Sequence, residues 1–391
     1  MSVSDKFRVL SPEEDTRRQP LTPMAMLDQP ASTIPSHWYF DAEHYQRELR
    51  AVWYREWVCV GREEDLERAG DYFIAEIGDQ RIIVTQTEDG LRAFHNTCRH
   101  RGARICNSST GRFRNGRIIC PYHTWTYSLD GKLIATPHRL DSGSFKSDQL
   151  SLYGVHLDTW RGFIFLNLAD KPETPLLDQL GSEAGNVSNW PLEDMRSVHQ
   201  VTKPIASNWK IYWENYSECY HCPRVHPSLC RIMPVYNLGT AEPSDIPGWT
   251  RADDGDAETW SADGKSTLPL LEGLSEAERN TIVTFASFTA GMYVVAHRDY
   301  VRTVRLVPRG PEEVDLVIDW LLPSAHADID EDKLRPIIDF PTQVISEDGE
   351  MCELNQKGLH SLRHERGALV EQEYDILDFH NWLRDKLGNT Q

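Results

Sequence analysis

The stretches Cys98-Arg-His100 and Cys120-Pro-Tyr-His123 each pair a cysteine with a histidine, and residues 101–119 separate the two pairs. Two thiolates and two imidazoles suit a zinc ion, or a [2Fe-2S] cluster in which two histidines replace two cysteines. The spacing is uneven and a β-like run precedes each pair, whereas a zinc finger joins Cys with Cys and places its histidines on a helix. Gly102 and Pro121 indicate tight loops. The pattern therefore favours the cluster, with zinc as the alternative.

A second candidate metal site follows an aromatic-rich stretch of helical composition. Asn208 is a suitable N-cap for that stretch, and Pro223 disfavours helical backbone at the residue before it. We therefore expect a helix that ends near His221. His226 then comes from the following turn, and the break at the proline lets both imidazoles converge.

Two carboxylates and two cysteines accompany these histidines. Glu214, Glu218 and His221 have i, i+4 and i+7 spacing, which places them on one face of the predicted helix. Cys219 and Cys222 offer a second interpretation, a zinc site formed with the two histidines. The alternative for both cysteines is core packing, because a free cysteine behaves as a small hydrophobe.

Both motifs, with their flanking residues, resemble the α subunits of Rieske non-haem iron oxygenases, and the resemblance covers nearly the whole chain. It implies that two thiolates hold one cluster iron and two imidazoles hold the other, the four ligands being Cys98, Cys120, His100 and His123. A mononuclear Fe(II) site needs a carboxylate beside His221 and His226, and the family supplies it from a late helix. Asp348 is the expected ligand and Glu347 is the alternative.

Glu218 stands where most members of that family have aspartate. The run Glu218-Cys-Tyr-His-Cys-Pro223 resembles the subgroup that oxidises quaternary ammonium compounds such as carnitine, glycine betaine and choline. The resemblance implies that Glu218 links His123 of one subunit to His221 of the next, in a homotrimer. The alternative for Glu218 is a solvated helix carboxylate.

The implied activity is that of a terminal oxygenase component, which uses O2 to hydroxylate or N-demethylate a small quaternary ammonium or N-methyl compound. The chain shows no flavin or ferredoxin module. We therefore expect electrons from NAD(P)H through a separate flavin and iron–sulfur reductase or a ferredoxin. The alternatives are an aromatic-ring hydroxylating oxygenase acting on an aromatic acid, an electron-transfer protein with an inactive catalytic domain, and a zinc-stabilised structural protein.

Aromatic side chains near the second motif are candidates for a cage around a trimethylammonium group, with core packing as the alternative for each. They are Trp213, Tyr216, Tyr236 and Trp249. Tyr293, His297 and Arg298 are further candidates to approach the substrate.

Composition limits the remaining possibilities. The net charge of −19, from 41 basic and 60 acidic residues, disfavours nucleic-acid binding. Eight cysteines without a regular framework in a 391-residue chain indicate a reducing compartment. We expect a cytoplasmic protein with no signal peptide and no membrane span, since the chain shows neither apolar pattern.

The predicted fold class is α+β. Residues 1–35 are expected to form an N-terminal arm or a disordered tail. Residues 36–168 are expected to form a small all-β Rieske domain with a leading helix. Residues 169–391 are expected to form a catalytic domain in which helices near 207–221, 275–287, 331–357 and 370–388 accompany a helix-gripped antiparallel sheet.

Overall fold

The computed structural model describes residues 27, 30–140, 144–241, 246, 251–289, 291–326 and 328–388. The chain divides into two compact units: Trp53–Gln179, and Met1–Val52 together with Leu180–Gln391. Within the described residues, no helix combines the length and the apolar character that a membrane crossing requires.

The described residues form strands and helices with the following bounds. The strands are β1 (Ala31–Ser32), β2 (Val58–Arg62), β3 (Asp71–Ile77), β4 (Gln80–Thr87), β5 (Gly90–His95), β6 (Thr110–Arg112), β7 (Arg117–Ile119), β8 (Thr126–Ser128), β9 (Leu133–Ala135), β10 (His156–Trp160), β11 (Phe163–Asn167), β12 (Met195–Ile205), β13 (Thr284–Phe288), β14 (Met292–Ala296), β15 (Val301–Gly310), β16 (Glu313–Pro323) and β17 (Ala368–Leu369). The helices are α1 (Ala42–Glu48), α2 (Leu176–Leu180), α3 (Glu183–Asn186), α4 (Trp209–Tyr216), α5 (Cys222–Val225), α6 (Leu229–Ile232), α7 (Glu276–Arg279), α8 (Glu331–Leu359) and α9 (Tyr374–Lys386).

Antiparallel strands dominate the unit Trp53–Gln179. They form sheets in the orders β5-β4-β3-β6, β10-β11-β2 and β7-β8-β9. Ile82, Ile83 and Val84 of the central strand β4 have no exposed surface, which fits their β-branched side chains. The first Cys/His pair lies in the loop between β5 and β6, and the second lies between β7 and β8. The prediction of a small β domain that presents both pairs on loops is confirmed.

The other unit contains one five-stranded antiparallel sheet in the order β12-β16-β15-β14-β13, as the predicted fold class requires. The long helix α8 lies against it and contains two prolines. Pro341 has no N–H to donate to the carbonyl of Ile337 four residues earlier. The indole Nε1 of Trp320, on β16, donates to that carbonyl at 2.7 Å. A side chain of the sheet therefore supplies the hydrogen bond that the Ile337 carbonyl lacks because of the proline.

Gly349 brings α8 close to the end of β12. A Cβ atom at this position would lie 2.7 Å from Cδ1 of Ile205, well inside van der Waals contact. The absence of a side chain thus sets the approach of the helix to the sheet at the residue that follows Asp348.

The division into units differs from the predicted boundaries at residues 36 and 168. Helix α1 belongs with the catalytic unit, because its Glu48 forms a buried ion pair with Lys210 of α4 at 2.6 Å. Trp209 Nε1 donates to the same carboxylate at 3.0 Å, and Lys210 Nζ also donates to the carbonyl of Trp38. Sequence periodicity identified the helix, but it gave no information on this long-range pairing.

The predictions for residues 275–287 and for the N-terminal arm also differ from the structure or are only partly covered by it. The helix expected at 275–287 is only the four-residue α7, with a Ser275–Glu278 capping box, and β13 follows it. All five residues of β13 are buried against β14, so tertiary pairing decides their conformation. Most of the predicted arm, 1–35, lies outside the described residues, although its end forms β1 and pairs with β17.

Candidate active site

The two cluster loops share one backbone conformation. In the first, Gly102 N–H donates to the carbonyl of Cys98 and Cys98 N–H donates to that of Ala103, both at 2.9 Å. In the second, Thr124 N–H donates to the carbonyl of Cys120 at 3.1 Å and Cys120 N–H donates to that of Trp125 at 2.9 Å. Gly102 and Thr124 both have positive φ, at 75° and 55°. Each pair therefore lies on an equivalent tight turn.

The thiols and the imidazoles of the two pairs differ in solvent exposure. Cys98 and Cys120 are buried, at 3% and 1% exposed, whereas His100 is exposed and His123 is partly exposed. The two imidazole rings lie 4.7 Å apart between centroids. This arrangement fits a [2Fe-2S] cluster with an inner iron on thiolates and an outer iron on imidazoles.

Polar and aromatic groups surround the predicted cluster ligands. The Tyr127 hydroxyl lies 3.2 Å from Cys98 Sγ and accepts the Arg99 N–H. Burial and the neighbouring Cys98 thiol raise the pKa of Cys120. Trp125 stacks on His100 with centroids 4.8 Å apart. Hydrogen bonds near sulfur and the exclusion of water are the usual means by which a protein tunes such a cluster.

The helix that precedes the second motif is shorter than predicted. Helix α4 ends at Tyr216 rather than near His221. The Ser217 hydroxyl donates to the carbonyl of Trp213 at 2.7 Å, and the Glu218 carboxylate accepts the His221 N–H at 3.2 Å. These side chains compete with the helical ladder for backbone groups. The Glu218 carboxylate takes the N–H of His221 that a continuing helix would donate to the carbonyl of Ser217, and the helix ends before it reaches Pro223.

The shorter helix separates the carboxylates that were expected on one face. Glu214 accepts a hydrogen bond from the Tyr39 hydroxyl at 2.8 Å and contacts His380 Nε2 at 2.9 Å. Glu218 instead contacts His221 Nδ1 at 2.6 Å. The predicted common face was therefore wrong, while Glu218 is placed to orient the His221 ring.

His221, His226 and Asp348 converge, as expected. Their ligand atoms all lie within 4.8 Å of one another. Asp348 Oδ1 is 3.3 Å from His221 Nε2 and 2.7 Å from His226 Nε2. His221 and His226 flank the single turn α5, and their ring centroids are 5.2 Å apart. Two imidazoles and one carboxylate are the donor set of a non-haem Fe(II) site, and these residues fit one.

Glu347 occupies a different position from its neighbour. Its Oε2 lies 2.7 Å from His226 Nδ1, on the ring nitrogen opposite the one that faces Asp348. Gln343 donates to the same carboxylate at 2.8 Å. Glu347 can therefore orient His226 from outside the metal site, as Glu218 does for His221. The geometry favours Asp348 over Glu347 as the third ligand.

Burial and hydrogen bonds shift the pKa values of His221 and Asp348 in opposite directions from those of isolated groups. Burial alone would lower the pKa of His221, but hydrogen bonds to Asp348, Cys222 and Glu218 raise it to about 12. Burial would raise the pKa of Asp348, yet the two imidazoles lower it overall.

A cavity with an empty volume of about 520 Å³, mouth included, opens beside these three residues. Of the predicted substrate residues, Tyr216 and Tyr236 line it. Trp213 packs against Phe379, with centroids 6.3 Å apart, so the core-packing alternative holds there. Trp249 lies outside the described residues. The lining residues that the sequence candidates missed include Tyr212, Trp260, Phe285 and Arg302, whereas Tyr293 had been named as a further candidate.

Four aromatic rings of the cavity form one connected wall. Tyr216 stacks on Tyr293 at 3.7 Å and meets the edge of Phe285 at 6.2 Å. Trp260 contacts Phe285 at 6.2 Å. Phe285 and Tyr293 lie on β13 and β14, whose residues are all buried, so the strand pattern does not indicate which face meets a cavity.

Comparison with known proteins agrees with this geometry. Residues 192–389 match the family described as ring hydroxylating alpha subunit (catalytic domain), and residues 56–146 match the Rieske [2Fe-2S] domain. The chain is 27% identical over 390 residues to the glycine betaine monooxygenase oxygenase subunit of Chromohalobacter salexigens, covering 91% of this chain and 86% of that protein. It is 37% identical over 210 residues to the carnitine monooxygenase oxygenase subunit of Escherichia coli, covering 53% and 55% of the two chains.

Solved structures share the fold. The quaternary ammonium Rieske monooxygenase CntA superposes with a TM-score of 0.71 at 21% identity, over 90% of this chain and 95% of that one. Naphthalene 1,2-dioxygenase from Rhodococcus gives a TM-score of 0.69 at 19% identity, over 92% and 95% of the chains. The two domain matches, together with the paired Cys/His loops, show that this chain belongs to the Rieske non-haem iron oxygenases with a ring-hydroxylating α-subunit catalytic domain.

Proposed function

We propose that this chain is a terminal oxygenase that oxidises an N-methyl group of a quaternary ammonium compound. The observation that carries the proposal is the continuous aromatic wall in the same cavity as His221, His226 and Asp348. Aromatic faces attract quaternary ammonium groups through cation–π interactions. The relatives named as glycine betaine, choline and carnitine monooxygenases support the same substrate class.

Each metal group has its proposed ligands. Cys98, Cys120, His100 and His123 would hold the [2Fe-2S] cluster. His221, His226 and Asp348 would hold a mononuclear Fe(II) and leave positions open for O2, which the iron activates when it is bound. The chain's other residues have positioning roles: Glu218 and Glu347 fix the two imidazole rings through their Nδ1 atoms.

The proposed reaction balances as a monooxygenation. One O2, two electrons and two protons convert the N-methyl group to an N-hydroxymethyl group and one water. The N-hydroxymethyl group then loses its hydroxyl proton and its C–N bond breaks with the electron pair left on nitrogen, which releases formaldehyde, the demethylated amine and one proton. The aromatic wall restricts water around the reacting methyl group, which limits side reactions.

Electrons are proposed to come from NAD(P)H through a separate reductase. The description of several relatives as oxygenase subunits supports a partner of this kind. We further propose a homotrimer in which Glu218 joins the His123 of an adjacent subunit to His221. The 2.6 Å contact of Glu218 with His221 Nδ1 supports the second half of this link.

Oxygen uptake by the reduced, iron-loaded protein tests the proposal. The panel contains glycine betaine, carnitine, choline and proline betaine beside a few aromatic acids, with formaldehyde measured in parallel. We expect formaldehyde in proportion to oxygen with at least one ammonium compound. Uptake with an aromatic acid alone, without formaldehyde, would contradict the proposal and support ring hydroxylation. The description of the matched catalytic-domain family names that second reaction.

A further inference from the structure

Arg302 is a buried cation in the wall of the substrate cavity. It lies on β15, is 3% exposed and lines the same cavity as His226 and Asp348. Its Nε and Nη1 atoms are buried and make no hydrogen bond within the described part of the chain. Its guanidinium carbon lies 5.5 Å from the ring centroid of Trp260. An aromatic face attracts the charge but accepts none of the directed N–H bonds.

Two other cations of this unit have anionic partners. Lys210 pairs with Glu48 at 2.6 Å. Arg305, three residues along the same strand, pairs with Asp319 at 3.6 Å. Asp299, close to Arg302 in sequence, already accepts hydrogen bonds from Thr259 at 2.8 Å and from Ser266 at 2.6 Å. Arg302 is thus distinguished by its position at the cavity and by its unused donors.

An unpaired guanidinium inside a protein costs free energy that a carboxylate ligand can offset. The planar guanidinium donates two parallel hydrogen bonds to a carboxylate, which gives both affinity and orientation. The same charge repels a ligand that carries only an ammonium group, because like charges in a cavity of low dielectric interact strongly. The cavity therefore has opposite preferences at two places: aromatic faces for a cation and Arg302 for an anion.

We propose that Arg302 is the carboxylate-binding residue of the substrate site and that the preferred substrates are ammonium carboxylates of the betaine class. Trp260 contacts both Arg302 and Phe285, and Phe285 contacts Tyr216. A zwitterion would place its carboxylate on Arg302 and its methylated nitrogen along this wall. The ammonium half of the inference rests on the proposed function, whereas the carboxylate half stands on Arg302 alone.

Binding calorimetry on the full, iron-loaded chain without reductant separates these halves. The ligands are glycine betaine, choline, which has the same trimethylammonium group but no carboxylate, and benzoate. We expect wild type to bind glycine betaine about 100-fold more tightly than choline, since losing one partner of a buried charge pair costs a few kcal/mol. Arg302→Gln should lose this preference, and Arg302→Lys should retain part of it because lysine keeps the charge without the fork.

Arg305→Gln is the matched control, because it removes a guanidinium from the same strand that already has Asp319 as partner. It should leave the preference unchanged. Equal affinity of wild type for glycine betaine and choline, or an unchanged preference in Arg302→Gln, would overturn the proposal. Benzoate binding that Arg302→Gln abolishes, with no binding of either ammonium compound, would uphold the carboxylate subsite and contradict the proposed ammonium function. Far-ultraviolet circular dichroism shows that each variant is folded.

Discussion

Glu347 and Asp348 are adjacent carboxylates with different contacts in this site. Successive residues of a helix point about 100° apart, so α8 directs Asp348 between the two Nε2 atoms and Glu347 to His226 Nδ1. The first position suits a metal ligand, and the second suits a residue that orients a ligand. The same division holds on the other histidine, where Glu218 contacts Nδ1 and Asp348 faces Nε2.

The two carboxylates should respond differently to substitution. Asp348→Ala should lose the mononuclear iron, because only two imidazoles remain to bind it. Glu347→Gln should retain the iron with about 10-fold weaker affinity, as expected when the partner of a ligand histidine loses its charge. Iron content per chain measures both effects, and the visible absorbance of the [2Fe-2S] cluster should be unchanged.

Glu350→Gln, an exposed position on the same helix, is the control and should bind iron as wild type does. Loss of iron in Glu347→Ala together with full iron content in Asp348→Ala would show that the ligand assignment is reversed.

A buried ion pair connects helices α1 and α4. Glu48 and Lys210 have no exposed side-chain surface, and Trp209 and Trp38 supply further hydrogen bonds to the pair. The pair fixes the start of α4, which leads to Tyr216 in the cavity. Helix α8 is fixed independently through Trp320 and Ile337. The site thus depends on helices whose positions are set by specific polar contacts as well as by apolar packing.

Lys210→Met should destabilise the catalytic unit by about 3–5 kcal/mol, because it removes the cation from the buried Glu48 carboxylate and leaves His44 and Trp209 as its remaining partners. The double variant Glu48→Gln/Lys210→Met should recover a large part of that loss, since no charge remains in the interior. Urea unfolding followed by tryptophan fluorescence measures both. Arg309→Met removes a more exposed pair with Asp315 and should cost less than about 1 kcal/mol. A loss in Lys210→Met no larger than in this control would refute the structural role of the pair.

Each compact unit contains one proposed metal site. The cluster ligands lie in Trp53–Gln179, and His221, His226 and Asp348 lie in the other unit. The proposed function requires electrons to pass from the first site to the second, and the proposed link runs through Glu218 between subunits.

Hybrid oligomers test this link. Cys98→Ser should lack a working cluster, and Asp348→Ala should lack iron, so each is inactive alone. Co-expressed in equal amounts, they should recover about a quarter of wild-type turnover, because about one head-to-tail contact in four joins an intact cluster to an intact iron site. Oxygen-coupled turnover of the purified hybrid gives the answer.

The hybrid oligomers also show which subunit must supply Glu218. Adding Glu218→Gln to the chain that keeps iron should abolish the recovery, because Glu218 contacts His221 of its own chain. Adding it to the chain that lacks iron should have no effect. Hybrids of confirmed subunit composition that show no turnover would refute transfer between subunits.

The sequence determined the chemistry of the sites and most of the regular structure. Local spacing was sufficient for the two Cys/His loops, since tight turns depend on nearby residues such as Gly102. It was also sufficient for His221 and His226, which flank one turn, and for helix α8 and the strands β12 and β14 to β16. Residue type then limited the metals, because thiolate, imidazole and carboxylate each prefer particular ions.

Only the tertiary structure decided the features that depend on contacts between distant residues. Periodicity could not assign α1 to the catalytic unit, because Glu48 and Lys210 are far apart in the chain. It overestimated the length of α4, where the Glu218 side chain takes the backbone N–H of His221. It could not place Arg302 in the cavity, because an arginine in an alternating strand is ordinarily solvated. Burial and long-range pairing are properties of the folded chain, and they set which side chains meet the substrate.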